Sequence, residues 1–182
     1  VIVPALSWST SFTPIYQMGF NMKIVDIDLE TLNYDLISLK KSITKKTKAI
    51  LLVNVLGNPN NFSKIKKIVK NKNIILLEDN CESLGSKFNN KFSGTFGKIG
   101  TFSFYYSHHI STIEGGMVTT NNEELYNIML SLRAHGWTRD LPSKNKIYKK
   151  GKDNFKELFN FILPGYNLRS TEINAAVGIE QL

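Results

Sequence analysis

Short apolar runs alternate with stretches of helical periodicity along the whole chain, and this alternation restricts the fold more than any other feature. The runs Val1 to Ala5, Met22 to Ile27, Ala49 to Val55, Ile74 to Leu77, Ile99 to Tyr105 and Gly116 to Thr120 read as strands. Between and after them, Leu36 to Thr44, Phe62 to Val69, Glu123 to Ala134 and Thr171 to Leu182 repeat apolar residues at helical spacing, and Ser9, as an N-cap, opens a helix toward Met18. Strands joined through helices in a compact domain form a largely parallel sheet with helices on its faces, so the fold class is α/β. Ile74 to Leu77 is continuously apolar, as a strand covered on both faces is. The 42% hydrophobic content supplies one such core, and no internal repeat or linker divides the chain.

Charge and cysteine usage narrow the function. The net charge of +8 comes mostly from lysines scattered among asparagines, not from arginines set among aromatics, so a nucleic-acid partner is not indicated. The densest basic stretch, Lys144 through Lys156, reads as a solvated loop whose charge helps draw in a diphosphate-bearing ligand. Cys81 is the only cysteine, which rules out an intrachain disulfide or a multi-cysteine metal site and fits the reducing cytoplasm. No apolar run approaches the ~20 residues that cross a bilayer, so no membrane partner is expected. The chain starts inside an apolar run and stops within a helical pattern, as a piece of a longer protein does.

In open α/β sheets, ligands bind beyond the carboxyl ends of the strands, so polar residues just after apolar runs are the candidates for chemistry. Four clusters qualify. Glu78 and Asp79 end the run Ile74 to Leu77; a carboxylate there serves as a helix cap, a metal ligand or the partner of a protonated heterocyclic nitrogen. Ser103 within the next strand, and Ser107, His108 and His109 after it, offer hydroxyls and imidazoles as base or phosphate donor. Metal binding is disfavoured, because no third ligand stands at a recognisable spacing. Trp8, after the first strand, either packs or offers a flat face to a planar ring. Asn167 and Arg169, before the last helix, either cap it or bind phosphate or carboxylate.

In order and approximate spacing, the segments PALSWST, LLEDNCESLGS, GTFSFYYSHHISTIEGGMVTT, LRAHGWTRD and GYNLRSTEINAAVGIEQL resemble the DegT/DnrJ/EryC1/StrS family of pyridoxal-phosphate sugar aminotransferases and dehydratases, along all 182 residues. The resemblance implies the large domain of the aspartate aminotransferase-like fold (fold type I), present in part over residues 1–182, with the domain's start and a C-terminal small domain outside this chain. It implies that Trp8 stacks on the cofactor ring, Asp79 pairs with the ring nitrogen, Glu82 lies near the ring hydroxyl and Ser103 donates to the phosphate. Asn167 then reaches the phosphate of a neighbouring subunit, which makes the protein a homodimer with shared sites. Ser107, His135, Arg139 and Arg169 fall in segments that serve the sugar or the amino donor.

One departure decides the chemistry. His108 stands where the family's aminotransferases carry the lysine that binds the cofactor covalently, and imidazole cannot form that bond. The resemblance is therefore to the 3-dehydratase branch: pyridoxal 5′-phosphate is converted to pyridoxamine 5′-phosphate by L-glutamate, and a nucleotide-linked 4-keto-6-deoxy sugar loses its C3 hydroxyl. An imidazole ordinarily titrates near ~6.5 and suits a group that acts as base and then as acid. The single cysteine favours the branch without an iron–sulfur cluster, which works in surface polysaccharide or lipopolysaccharide synthesis. Two alternatives stay open: a sugar aminotransferase that tolerates His108, and a noncatalytic sugar-nucleotide binder.

Overall fold

The computed structural model describes residues 1–182. Its elements are β1 (Ile2–Pro4), α1 (Ser9–Gln17), β2 (Lys23–Val25), α2 (Leu36–Ser42), β3 (Ala49–Val53), α3 (Phe62–Val69), β4 (Ile75–Asp79), β5 (Lys87–Phe88), β6 (Lys91–Phe92), β7 (Ile99–Ser103), β8 (Gly116–Thr119), α4 (Glu123–Leu132), α5 (Asn154–Glu157) and α6 (Glu172–Ile179). They fall into two compact units, Val1–Thr119 with Gln181–Leu182, and Thr120–Glu180.

The first unit holds a six-stranded sheet in the order β2-β1-β3-β4-β7-β8. All neighbours are parallel except β7 and β8, which run antiparallel in a register pairing Ser103 with Gly116. Consecutive strand residues face opposite sides, and the sequence obeys this period of two. Ile2, Ile50, Leu52 and Leu76 turn to one face, where they pack with Leu39 of α2 and Phe62 and Ile65 of α3. Ile50, Leu52, Leu39 and Ile65 are completely buried. Burial of each such side chain stabilises the fold by roughly 1.5–3 kcal/mol, so the centre of the sheet dominates its stability. Phe62 also stacks on Phe96 with ring centroids 4.0 Å apart, which fastens the loop before β7 to α3.

Helix starts follow local chemistry. Asp35, Asn61, Asn122 and Thr171 each accept a backbone N–H of the first turn and cap α2, α3, α4 and α6. The expected cap at Ser9 is not formed. Ser9 is already helical, and the N-cap position belongs to Trp8, whose indole has no oxygen to accept a bond. The carboxylates expected to end the fourth apolar run lie inside β4, since the ladder with β3 continues to the pair Val53 and Asp79. Ile75 at the start of that strand is 44% exposed, so β4 is not covered on both faces along its length.

In the second unit, Asn167 bridges Ala134 and Phe161 bridges Trp137, drawing the chain after α4 against the segment before α6. The lysine-rich stretch is less free than its charge suggests. The Glu157 carboxylate accepts the Gly151 N–H at 2.7 Å, the Tyr148 hydroxyl at 2.9 Å and the Thr138 hydroxyl at 3.3 Å. The Gly151 N–H is the main cause that holds this carboxyl below its usual range. Lys146 also pairs with Glu123 at 3.1 Å, and residues 154–157 close the stretch as a short helix.

Candidate functional site

Four parallel strands, β1, β3, β4 and β7, end on the same edge of the sheet, and polar or aromatic residues stand within four residues of each end. The order of connection reverses between β1 and β3, since β2 lies on one side of β1 and β3 on the other. Such a switch opens a crevice at the carboxyl edge. The site of the first unit is built around it.

Trp8, four residues beyond β1, is 77% exposed, so packing does not account for it. Asp79 ends β4. Its Oδ2 accepts the Ser11 hydroxyl at 2.6 Å, and its Oδ1 accepts the Cys81 N–H at 3.1 Å. Ser11 in turn accepts the Ser7 hydroxyl at 2.7 Å, so a short relay of hydroxyls ties the loop after β1 to the carboxylate. Asp79 makes no ion pair with any lysine, arginine or histidine, although 23 lysines and arginines are available. A carboxylate held by neutral donors with lone pairs to spare fits a cationic ring nitrogen, and the exposed indole nearby in sequence fits a planar ring. The residues present therefore suit a protonated pyridine cofactor.

Its neighbour Glu78 has a different fate. The alternation of the strand turns it to the α3 side, where it is buried without a cation and accepts the N–H groups of Gly94, Phe96 and Gly97 at 2.6, 2.6 and 2.5 Å. Three donors compensate the desolvated charge and shape the loop that leads into β7. Beyond β4 the turn is set by buried amides. Asn54 donates to Asn80 Oδ1 at 2.7 Å, and Asn60 donates to Asn54 and to the Val53 carbonyl. Cys81 follows; burial above all, then the adjacent Asp79 carboxylate, pushes its thiol up to about 12.

A cavity of about 430 Å³ opens at the ends of β3, β4 and β7, lined by Leu56, Glu82, Ser107, His108 and His109. Glu82 Oε2 accepts the Leu56 N–H at 2.9 Å. His108 sits in a turn, its N–H donating to the Tyr105 carbonyl at 3.0 Å, so the two histidines do not alternate along an extended strand. Tyr105 and Tyr106 lean together at 4.3 Å, and the hydrogen bond between them is the first cause that raises the Tyr105 hydroxyl. Ser103, at the end of β7, accepts the Tyr105 N–H at 3.2 Å. The far side of the turn is clamped by Gln181, whose amide accepts the Ser111 N–H at 2.8 Å and donates to the Ser111 carbonyl at 2.5 Å. Glu82, Ser107 and His108 thus share one cavity, Trp8 and Asp79 are linked through serines, and no group of histidine, cysteine and carboxylate forms a metal site.

In the second unit, His135 and Asn167 lie on paired backbone: the His135 N–H donates to the Tyr166 carbonyl at 2.7 Å, and the Leu168 N–H to the Arg133 carbonyl at 2.8 Å. His135 adopts a left-handed backbone, φ 62°, and its side chain is exposed. Arg139 lies 3.9 Å over the Trp137 ring and contacts Asp140 at 3.5 Å, while Trp137 stacks on Phe161. Asn167 and Arg169 are exposed and do not cap α6, because Thr171 does.

Ser7, Ser11, Leu56, Gln181 and the buried asparagines were not singled out by sequence reasoning. Ser11 lies in the first turn of α1 and Ser7 just before its N-cap, Trp8, so the relay joins the helix start to the loop before it and has no periodic signal in the sequence. Leu56 carries a signal only in its backbone: φ 51° and ψ 31°, left-handed for a residue that is not glycine, at a cost of roughly 1–2 kcal/mol.

A family model described as the DegT/DnrJ/EryC1/StrS aminotransferase family matches residues 1–182. The GDP-4-keto-6-deoxy-D-mannose 3-dehydratase of Escherichia coli O55:H7 is 60% identical over 183 residues, covering 100% of this chain and 47% of that protein. A crystal structure of a mutant GDP-4-keto-6-deoxymannose-3-dehydratase with bound GDP-perosamine matches with a TM-score of 0.96 at 60% identity, over 99% of this chain and 47% of its own. A structure of GDP-4-keto-6-deoxymannose-3-dehydratase with a trapped PLP-glutamate geminal diamine gives the same TM-score, 0.96, at 60% identity over the same shares, 99% and 47%. The chain spans about half the length of the relatives it matches.

Proposed function

The chain belongs to the DegT/DnrJ/EryC1/StrS aminotransferase family, and on that premise we propose that the protein containing it removes the C3 hydroxyl from a nucleotide-linked 4-keto-6-deoxy sugar. The observation that carries this reading is the place of His108: an imidazole, not an amine, stands in the turn after β7 and lines a cavity with Glu82 and Ser107. The 60% identity to a GDP-4-keto-6-deoxy-D-mannose 3-dehydratase supports GDP as the nucleotide of the substrate, and the reaction serves surface polysaccharide or lipopolysaccharide synthesis.

Pyridoxal 5′-phosphate, charged to pyridoxamine 5′-phosphate by L-glutamate, supplies the electron sink that labilises bonds next to the sugar's C4. Trp8 gives the ring its flat support, Asp79 holds the ring nitrogen protonated through its hydroxyl-anchored carboxylate, and Ser103 donates to the phosphate. Glu82, with one oxygen engaged by Leu56, keeps the other for the ring hydroxyl. His108 moves the proton, acting first as base and then as acid to the departing C3 oxygen, which leaves as water. Ser107, His135, Arg139 and Arg169 serve the sugar nucleotide or the donor carboxylates, where a planar guanidinium binds two oxygens at once. Asn167 reaches a neighbouring subunit's phosphate, so the active protein is a homodimer. The reading takes residues 1–182 as part of the cofactor-binding large domain and places the reaction in the cytoplasm, where the single thiol stays reduced. No helix is long and apolar enough to cross a membrane.

The test uses the full-length protein with pyridoxal phosphate and glutamate. The reading requires spectral conversion to pyridoxamine phosphate, no lysine adduct trapped by borohydride, and ammonia release when a GDP-linked 4-keto-6-deoxy sugar is added. A trapped adduct with an aminated sugar as product would instead make it an aminotransferase.

A further inference from the structure

Leu56 combines three properties that a structural leucine does not need. It is 73% exposed, it lines the cavity that holds His108, and its backbone sits in the left-handed region. The strain is held from several directions. Positive φ at both Leu56 and Gly57, with the Asn58 N–H returning to the Val55 carbonyl at 2.9 Å, is the pattern of a type I′ turn, which favours asparagine and glycine at its centre. Glu82 accepts the Leu56 N–H, Ser86 donates to the Gly57 carbonyl at 2.8 Å, and the buried Asn54 anchors the entry to the turn. A conformation disfavoured for leucine, imposed by its surroundings at the mouth of a reactive cavity, points to function. An asparagine would relieve the strain, whereas leucine adds an apolar side chain at the cavity mouth.

Complementarity identifies what that side chain meets. The other residues lining the cavity, Glu82, Ser107, His108 and His109, are all polar. A 4-keto-6-deoxyhexose presents a carbonyl, hydroxyls and a glycosidic oxygen, and one apolar substituent, the C6 methyl. We propose that Leu56 is the specificity-determining residue for that methyl: it forms the apolar wall of the sugar site and disfavours hexoses with a hydroxyl at C6. The proposal rests on the 3-dehydratase reading for the class of ligand and is tested by binding, apart from turnover.

The experiment is calorimetric titration of the full-length, cofactor-loaded protein with two unreactive probes, GDP-mannose and its 6-deoxy counterpart, which differ in the C6 hydroxyl alone. The native protein binds the 6-deoxy probe about tenfold more tightly, the discrimination a small apolar pocket achieves. Leu56→Asn, at ease in the left-handed turn, brings the two affinities together, while Leu56→Met keeps the preference because it keeps an apolar side chain. Equal affinities in the native protein, or an undiminished preference in Leu56→Asn, overturn the proposal. Glutamate-driven spectral conversion and ammonia release, followed separately in the native protein, test the reaction; their absence beside a Leu56-dependent preference removes the dehydratase and leaves the sugar contact standing.

Discussion

Asp79 and Cys81, two residues apart on one turn, show how neighbours in sequence are set to different tasks by their partners. The Asp79 carboxylate is held by neutral donors, and the bond from the Ser11 hydroxyl at 2.6 Å is the shortest of them. A hydrogen bond to a charged group contributes about 1.5–3 kcal/mol. Ser11→Ala is therefore expected to weaken cofactor affinity about tenfold, an effect worth ~1.4 kcal/mol, measured as the pyridoxal phosphate concentration that half-saturates the absorbance of the protein. Cys81 runs the other way. With its thiol pushed up to about 12, it stays protonated at neutral pH and reacts slowly with iodoacetamide at pH 8. The sign for stability follows from the raised value: between the thiol's ordinary range near 9 and about 12, the unfolded chain has lost a proton that the folded chain retains. Stability therefore falls as pH rises through that window. Cys81→Ala is expected to flatten this alkaline loss in urea titrations between pH 8 and about 11.

Elements explain which parts of the architecture can be read from residues alone. In the second unit, Gly136 has φ 85°, and a Cβ added there would lie 1.7 Å from the Leu163 carbonyl oxygen. Gly136→Ala is expected to cost about 3 kcal/mol, seen as a lower urea midpoint, because both the backbone angle and the pairing with the segment before α6 must give way. The sheet was legible: runs such as Ala49 to Val55 carry enough apolar area to declare a strand, and the rule that ligands gather at carboxyl ends points to Trp8, Asp79 and His108 as candidates. The division of labour between Glu78 and Asp79 was legible in principle, since adjacent strand residues face opposite sides and only one can face the crevice. What the sequence hid is long-range. Ser11 meets Asp79 across 68 residues, and Asn54 meets Asn80 across 26. The left-handed turn at Leu56 leaves no mark in composition, since leucine is not a residue from which such a backbone is predicted.

For the whole molecule, the net charge of +8 is a long-range property that no single contact carries. A cationic protein attracts a diphosphate-bearing ligand before contact, and salt screens that attraction over a Debye length of about 10 Å at 0.1 M. Raising ionic strength from about 0.05 to about 0.2 M is expected to lower kcat/KM of the full-length protein for the proposed sugar nucleotide severalfold and leave kcat unchanged, as steering affects encounter and not the bound complex. The clamp between Gln181 and Ser111 adds a dimension of time. The two residues are 70 apart in sequence. A ribosome adding 5–20 residues per second makes Gln181 roughly 4–14 s after Ser111. The sheet and its carboxyl edge have all their residues by then, while the turn that bears His108 still waits for its fastening, so a nascent chain gains its scaffold before the His108 imidazole is fixed in place.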